Sequence, residues 1–202
     1  MIKSIILSIL AIASLTLSYL YEISPETNAP APPVADAAAF LLPPPYEPEP
    51  IAELIEAPTP NDSLFYEQYA KKLGTRLDYT EDKELLKTVT KWIGTPYQYG
   101  SSTRKGTDCS GFVTSIYREV YGIDLSRSSQ SMFGDVERIK KDSIQTGDLV
   151  FFRRGPKQPI FHVGIYLKGN KFIHSATNGG VMISSLKEPY YRHHYFAAGR
   201  VN

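Results

Sequence analysis

Eleven of the chain's 15 prolines fall between Pro25 and Pro60, and this clustering limits how much of the chain can fold. A segment so dense in proline lacks backbone donors for helix or sheet and favours extended polyproline II. Only one of the 22 basic residues, Lys3, precedes residue 61. Residues 61–202, 142 in all, are therefore the expected folded domain. A domain of that size buries roughly 70% of its unfolded surface, enough for one hydrophobic core.

Ahead of the proline segment, Lys3 is followed by an uncharged run, residues 4–21, rich in Ile and Leu. A basic residue and then an apolar stretch reads as an export signal. The 18 residues would also span a bilayer once, so residues 1–24 suit a cleaved signal peptide or a retained anchor equally well. Residues 25–60 read as a disordered linker. At about 3.1 Å per residue such a segment reaches up to roughly 110 Å. Either reading places residues 61–202 outside the cytoplasm, secreted or held in a periplasm or cell envelope.

The net charge of +1 hides an asymmetry. Residues 61–202 carry 21 basic and 14 acidic side chains, a net of +7. A basic domain favours anionic partners such as nucleic acid, acidic wall polymer or an anionic membrane surface, and an export signal argues against the first. The single cysteine, Cys109, excludes an internal disulfide framework. A free thiol outside the cytoplasm points to a chemical role, against the alternative of an inert core thiol.

Within the domain the hydrophobic period changes once. Residues 61–73 and 81–93 read as helices, ended at Gly74 and Gly94. Asp108 is a good N-cap for a third helix, with Phe112, Val113, Ile116 and Val120 on its apolar face and Gly122 as its stop. Cys109 then lies in the first turn. Beyond it, residues 149–153, 161–167, 171–176, 181–185 and 195–201 read as strands joined by short Gly-containing breaks, hence as antiparallel neighbours. Helices first and strands afterwards predict an α+β domain.

Two of the four histidines fall on adjacent predicted strands. If Lys168-Gly169-Asn170 forms the turn, His174 faces Gly164 and shares a sheet face with His162, diagonal to it. A two-residue turn would send the two rings to opposite faces. His193 and His194 sit in an aromatic stretch and read as structural or surface residues.

These residues allow acyl transfer. The positive end of a helix favours the Cys109 thiolate, which is the nucleophilic form. His162 is placed to take the thiol proton and return it to a leaving amine, and His174 to orient that imidazole. Backbone N–H groups at the helix start, with a nearby hydroxyl, would face an oxyanion. The same three residue types also suit zinc.

Five sequence blocks carry a resemblance. Gly94-Thr95-Pro96-Tyr97 with Tyr99-Gly100, Asp108-Cys109-Ser110-Gly111-Phe112-Val113, Gly147-Asp148-Leu149-Val150-Phe151-Phe152, His162-Val163-Gly164-Ile165-Tyr166 and Ile173-His174-Ser175-Ala176 occur in that order. Together they resemble the NlpC/P60 cysteine peptidases. The resemblance implies a papain-like α+β fold, with N-terminal helices packed on an antiparallel sheet of about five strands. It implies Cys109, His162 and His174 as the catalytic trio, Tyr97 as an oxyanion or substrate contact, and Asp108, Ser110, Arg127 and Ser128 as residues beside the substrate. It also implies a thiol protease of peptidoglycan that cuts the D-γ-glutamyl–diamino acid bond of stem peptides. No metal or organic cofactor is expected. The expected partners are peptidoglycan peptides met by a monomer, with membrane contact only through an N-terminal anchor. Ser101 and Ser126 depart from the family pattern, where glycine and proline are frequent. A second reading keeps the trio and changes the substrate, as an amidase or acyltransferase on another wall or lipid amide; a third, a catalytically silent wall-binding module, is opposed by the complete trio.

Overall fold

The computed structural model describes residues 59–202. The expected signal or anchor and nearly all of the expected linker lie outside the described residues. The first helix, α1 (Pro60–Leu73), starts at a proline that needs no N–H partner. Thr59 caps it: its hydroxyl accepts from the Asp62 N–H at 3.2 Å, and the Asp62 carboxylate accepts from the Thr59 N–H in return. Helix α2 (Lys83–Trp92) is capped by Asp82 and buries Leu85, Leu86, Val89 and Trp92 on one side.

A two-stranded ribbon, β1 (Ser102–Thr103) and β2 (Gly106–Thr107), leads into α3 (Cys109–Tyr121). Asp108 caps α3 and Gly122, at φ 68°, closes it as expected. A four-residue helix, α4 (Ser129–Met132), follows. The main sheet holds β3 (Glu137–Ile139), β4 (Leu149–Arg153), β5 (Ile160–Tyr166), β6 (Lys171–Ala176), β7 (Gly180–Ser185) and β8 (Tyr195–Arg200). Their spatial order is β3-β8-β4-β5-β6-β7, and every pairing is antiparallel. One further helix, α5 (Pro189–His194), precedes β8.

The α+β class is therefore as expected, with six strands in the main sheet where about five were read. The extra strand, β3, is three residues long with two exposed charged side chains, so it has no apolar alternation to reveal it. Helices α4 and α5 are too short for a 3.6-residue period to register.

The sheet buries both faces. Leu149, Phe151, Val163, Ile165 and Ile173 join Phe112, Val113 and Ile116 of α3 and the α2 face in the larger core. Val150, Phe152, Phe172 and Ala198 form a smaller core on the other face, with Tyr191 and Tyr195 packed against it. The alternation of Leu149 and Phe151 against Val150 and Phe152 is the two-residue period of a strand covered on both sides.

The register that decides the site is that of β5 against β6. Ile165 pairs with Ile173 and Tyr166 with Phe172, and the Leu167 N–H bonds the Lys171 carbonyl at 2.9 Å across the Lys168-Gly169-Asn170 turn. The three-residue turn is thus the one formed, and Gly169 and Asn170 both take positive φ in it. Gly164 lies beside His174 because nothing larger fits: a Cβ there would stand 2.7 Å from Phe172 Cδ2, 2.9 Å from the Ile173 carbonyl oxygen and 3.1 Å from His174 Cβ.

Adding one methyl at that point forces β6 away from β5. Gly164→Ala is expected to destabilise the domain by about 1–3 kcal/mol, read as a lower urea midpoint, and to displace His174.

Candidate active site

Cys109 is the first residue of α3 and is half-buried. The helix holds it there through Asp108, whose carboxylate accepts from the Gly111 N–H at 2.7 Å. Burial pushes the Cys109 thiol up, while the backbone N–H groups of Val163, Ser110 and Cys109 itself pull against that rise. The negative charge of Asp108 adds to it. The low-pKa thiolate expected from the helix terminus is therefore corrected: desolvation outweighs the helix end, and the resting sulfur holds its proton.

His162 on β5 and His174 on β6 meet edge to face, with His162 Nε2 and His174 Nδ1 2.8 Å apart. His174 is fully buried and stacks on Phe172 at 4.7 Å. Its Nε2 lies 3.1 Å from Ser184 Oγ and 3.3 Å from the Tyr191 hydroxyl. Burial lowers His162 to about 4, and burial together with the neighbouring His162 ring lowers His174 as well. Both rings are neutral at pH 7. Since His162 Nε2 is engaged by His174, Nδ1 is the nitrogen left for a thiol.

Cys109, His162, His174 and Tyr97 line one cavity of about 410 Å³, together with Phe161, Arg154, Asn178 and Tyr190. A second cavity of about 440 Å³ shares Tyr97, Cys109 and Phe161, and adds Tyr99, Asp108, Ser110, Arg127 and Ser128. The thiol thus sits between two lobes of one groove. Burial pushes the Tyr97 phenol up, so it stays a neutral O–H donor.

Three of the remaining expected substrate residues, Asp108, Ser110 and Arg127, are tied to each other. Arg127 grips Asp108 with both arms, Nη1 to Oδ1 at 2.8 Å and Nη2 to Oδ2 at 2.9 Å, and also donates to Ser110 Oγ and to the Ser101 carbonyl. Burial works against the Asp108 carboxylate, yet Arg127 and the Gly111 and Gly100 N–H groups outweigh it and hold its acid below the ordinary range. Ser128 caps α4, its hydroxyl accepting from the Ser131 N–H at 3.1 Å. Asp108 and Ser128 therefore hold backbone in place while facing the groove, and Arg127 reaches it with its charge matched.

Residues 94–200 match the NlpC/P60 family. The chain belongs to that family. It is 44% identical over 117 residues to the murein DD-endopeptidase MepS/murein LD-carboxypeptidase of Escherichia coli, a match covering 58% of this chain and 61% of that protein. It is 44% identical over 113 residues to the probable endopeptidase NlpC of the same organism, covering 56% of this chain and 73% of that one. Among solved structures, an NlpC/P60 family protein from Bacillus cereus superposes with a TM-score of 0.56 at 32% identity, over 58% of this chain and 39% of its own. The NlpC/p60 domain of the peptidoglycan hydrolase SagA gives 0.52 at 28% identity, over 58% and 96%. The fold and the peptidase class, both read from the NlpC/P60 resemblance, agree with these relatives.

The zinc reading does not fit this site. His162 Nε2 and His174 Nδ1 are hydrogen-bonded to each other rather than turned to a common point, and among the described residues no cluster of three metal-ligating side chains forms. Sequence reasoning missed Ser184 and Tyr191 at His174, and Phe161 and Arg154 at the groove. Ser184 sits on β7 two strands from His162, so only the sheet order reveals it. The Arg154 guanidinium stacks over Phe161 at 4.9 Å and lines the groove.

The buried imidazoles set a pH dependence. An unfolded histidine titrates at about 6.5, and folded His162 does so at about 4. Between these values the unfolded chain binds the extra proton, so this contribution to stability is complete above about 6.5 and declines as pH falls toward 4. The urea midpoint is expected to drop from pH 7.5 to pH 4.5, and to drop less in His162→Gln.

Proposed function

We propose that this chain is a cell-wall hydrolase that cuts an amide bond of peptidoglycan stem peptides through a thioester on Cys109. The observation that carries this reading is the 2.8 Å contact between His162 and His174 in the cavity that also presents the thiol. Such a pair leaves one imidazole nitrogen, His162 Nδ1, oriented by a buried partner and open to accept a proton.

In this mechanism His162 Nδ1 takes the thiol proton as sulfur attacks the carbonyl carbon. The thiol needs this base because burial keeps it protonated at rest. The oxyanion that forms lies by the N–H groups at the start of α3, with the Tyr97 hydroxyl as a further donor. As the intermediate collapses, the C–N bond breaks and the His162 imidazolium protonates the leaving amine. Water, deprotonated by the same imidazole, then hydrolyses the thioester and restores the thiol.

Peptidoglycan peptides suit the groove's charge. Arg127 is neutralised by Asp108, whereas Arg154 has no carboxylate in salt-bridge range among the described residues. A stem peptide brings carboxylates to such a site. The bond read from the family resemblance is D-γ-glutamyl–diamino acid. The name of one 44% identical relative, murein DD-endopeptidase MepS/murein LD-carboxypeptidase, favours a second reading, a D–D bond between stems. Residues 4–21 are read as exporting the domain, as a cleaved signal or a retained anchor, and the proline segment as a tether that lets it act at a distance from the membrane.

The protein incubated with purified peptidoglycan and defined stem peptides, beside Cys109→Ala, tests this by mass spectrometry of the products. New fragments ending at D-γ-glutamate identify the first bond, and separated cross-linked stems the second. Either product should fall by at least about a thousandfold in the variant. Cleavage that survives Cys109→Ala, or no cleavage of any wall peptide, would overturn the proposal.

A further inference from the structure

The catalytic reading above leaves one question at the base: which nitrogen of each imidazole carries its proton. His174 is buried and His162 half-buried, and both rings are neutral, so each has one N–H and one lone pair. A single proton lies between His162 Nε2 and His174 Nδ1. If it belongs to His174, the proton of His162 must sit on Nδ1, and that nitrogen cannot accept from a thiol. If it belongs to His162 Nε2, Nδ1 is open and the base is competent. In that second state the one proton of His174 sits on Nε2.

The competent state therefore needs acceptors at His174 Nε2, deep in the sheet. Two are there: Ser184 Oγ at 3.1 Å and the Tyr191 hydroxyl at 3.3 Å. One N–H between two oxygens can be shared in a three-centre bond and so serves both hydroxyls at once. The pair thus favours a proton on Nε2. Both side chains are held for this task. Ser184 is buried on β7, paired with Phe172 of β6. Tyr191 comes from α5, wedged against Phe152 at 5.6 Å and Phe172 at 4.9 Å.

We propose that the Ser184 and Tyr191 hydroxyls set the tautomer of His174, and through it the capacity of His162 to take the thiol proton. They are positioning residues that act through His174, and the inference rests on His162 being the base. Tyr191 also borders the groove, but Ser184 does not line it, so a loss on removing Ser184 cannot come from substrate contact.

Long-range nitrogen–proton NMR of the imidazole-labelled protein reads the tautomers without any substrate. Both His162 and His174 are expected as Nε2–H forms. In the Ser184→Ala/Tyr191→Phe double variant His174 should shift toward the Nδ1–H form. Its kcat on a cleaved wall peptide should fall about tenfold or more, with KM within about twofold and an unchanged urea midpoint at pH 7.5. Ser184→Thr, which keeps the hydroxyl, should retain the parent tautomer and rate. An Nδ1–H form of His174 in the parent protein would overturn the proposal, as would a double variant with parental tautomer and kcat. Expected tautomers in a protein that cuts no wall peptide would sink the functional reading alone and leave this assignment standing.

Discussion

The carboxylate of Asp108 is the anchor on which the rest of the site depends. Five groups converge on it: the Gly111 N–H, the Gly100 N–H, two guanidinium nitrogens of Arg127 and the Ser110 hydroxyl. The first starts α3 and so aims Cys109. The second ties down the loop that carries Tyr97 and Tyr99. The third and fourth draw in the segment before α4, which forms the far wall of the groove. A buried carboxylate is costly unless its lone pairs are used, and here they are. Arg127 and the Gly111 and Gly100 N–H groups outweigh the burial of this anchor and hold its acid below the ordinary carboxylate range.

The electrostatics around Cys109 differ from the ion pair that a helix-terminal cysteine suggests. Burial acts on the two sides of the proton transfer in opposite senses: it raises the thiol and lowers the imidazole. Both effects favour the uncharged pair at rest. Charge then develops only as sulfur attacks, where N–H groups at the start of α3 face it. Interactions strengthened at that moment lower the barrier, whereas a preformed ion pair would have stabilised the resting site as well.

What could be read from the sequence follows from how local each feature is. The cap at Asp108, the face formed by Phe112, Val113 and Ile116, and the stop at Gly122 are set by neighbours within one helix, and all were legible. The His162–His174 register needed only the length of one turn, and Lys168-Gly169-Asn170 supplied it. By contrast, Ser184 reaches His174 through an adjacent strand and Tyr191 through a six-residue helix with no readable period. The binding of Arg127 to Asp108 closes a 19-residue separation across α3 and the loop after it, and no spacing rule predicts it. Strand β3 was hidden because its three residues show no apolar alternation and its partner, β8, is distant in sequence.

The nucleophile and the base are thus specified by two unlike devices. Cys109 is aimed by a local helix cap, which survives small shifts elsewhere. The histidines are aligned by pairing across β5, β6 and β7, where a slip of one residue turns a side chain to the opposite face. Gly164 guards that pairing: it lets β6 approach closely enough for the rings to touch, and it leaves no room for any other residue. Ser175, next to His174, adds a cross-tie by donating to the Thr107 carbonyl at 2.8 Å, one residue before the Asp108 cap. That single hydrogen bond joins the two devices, since it fixes the strand bearing His174 to the loop that aims Cys109. A change that loosened it would leave the cap and the histidine pair each intact while letting them drift relative to one another, and catalysis requires both in one place.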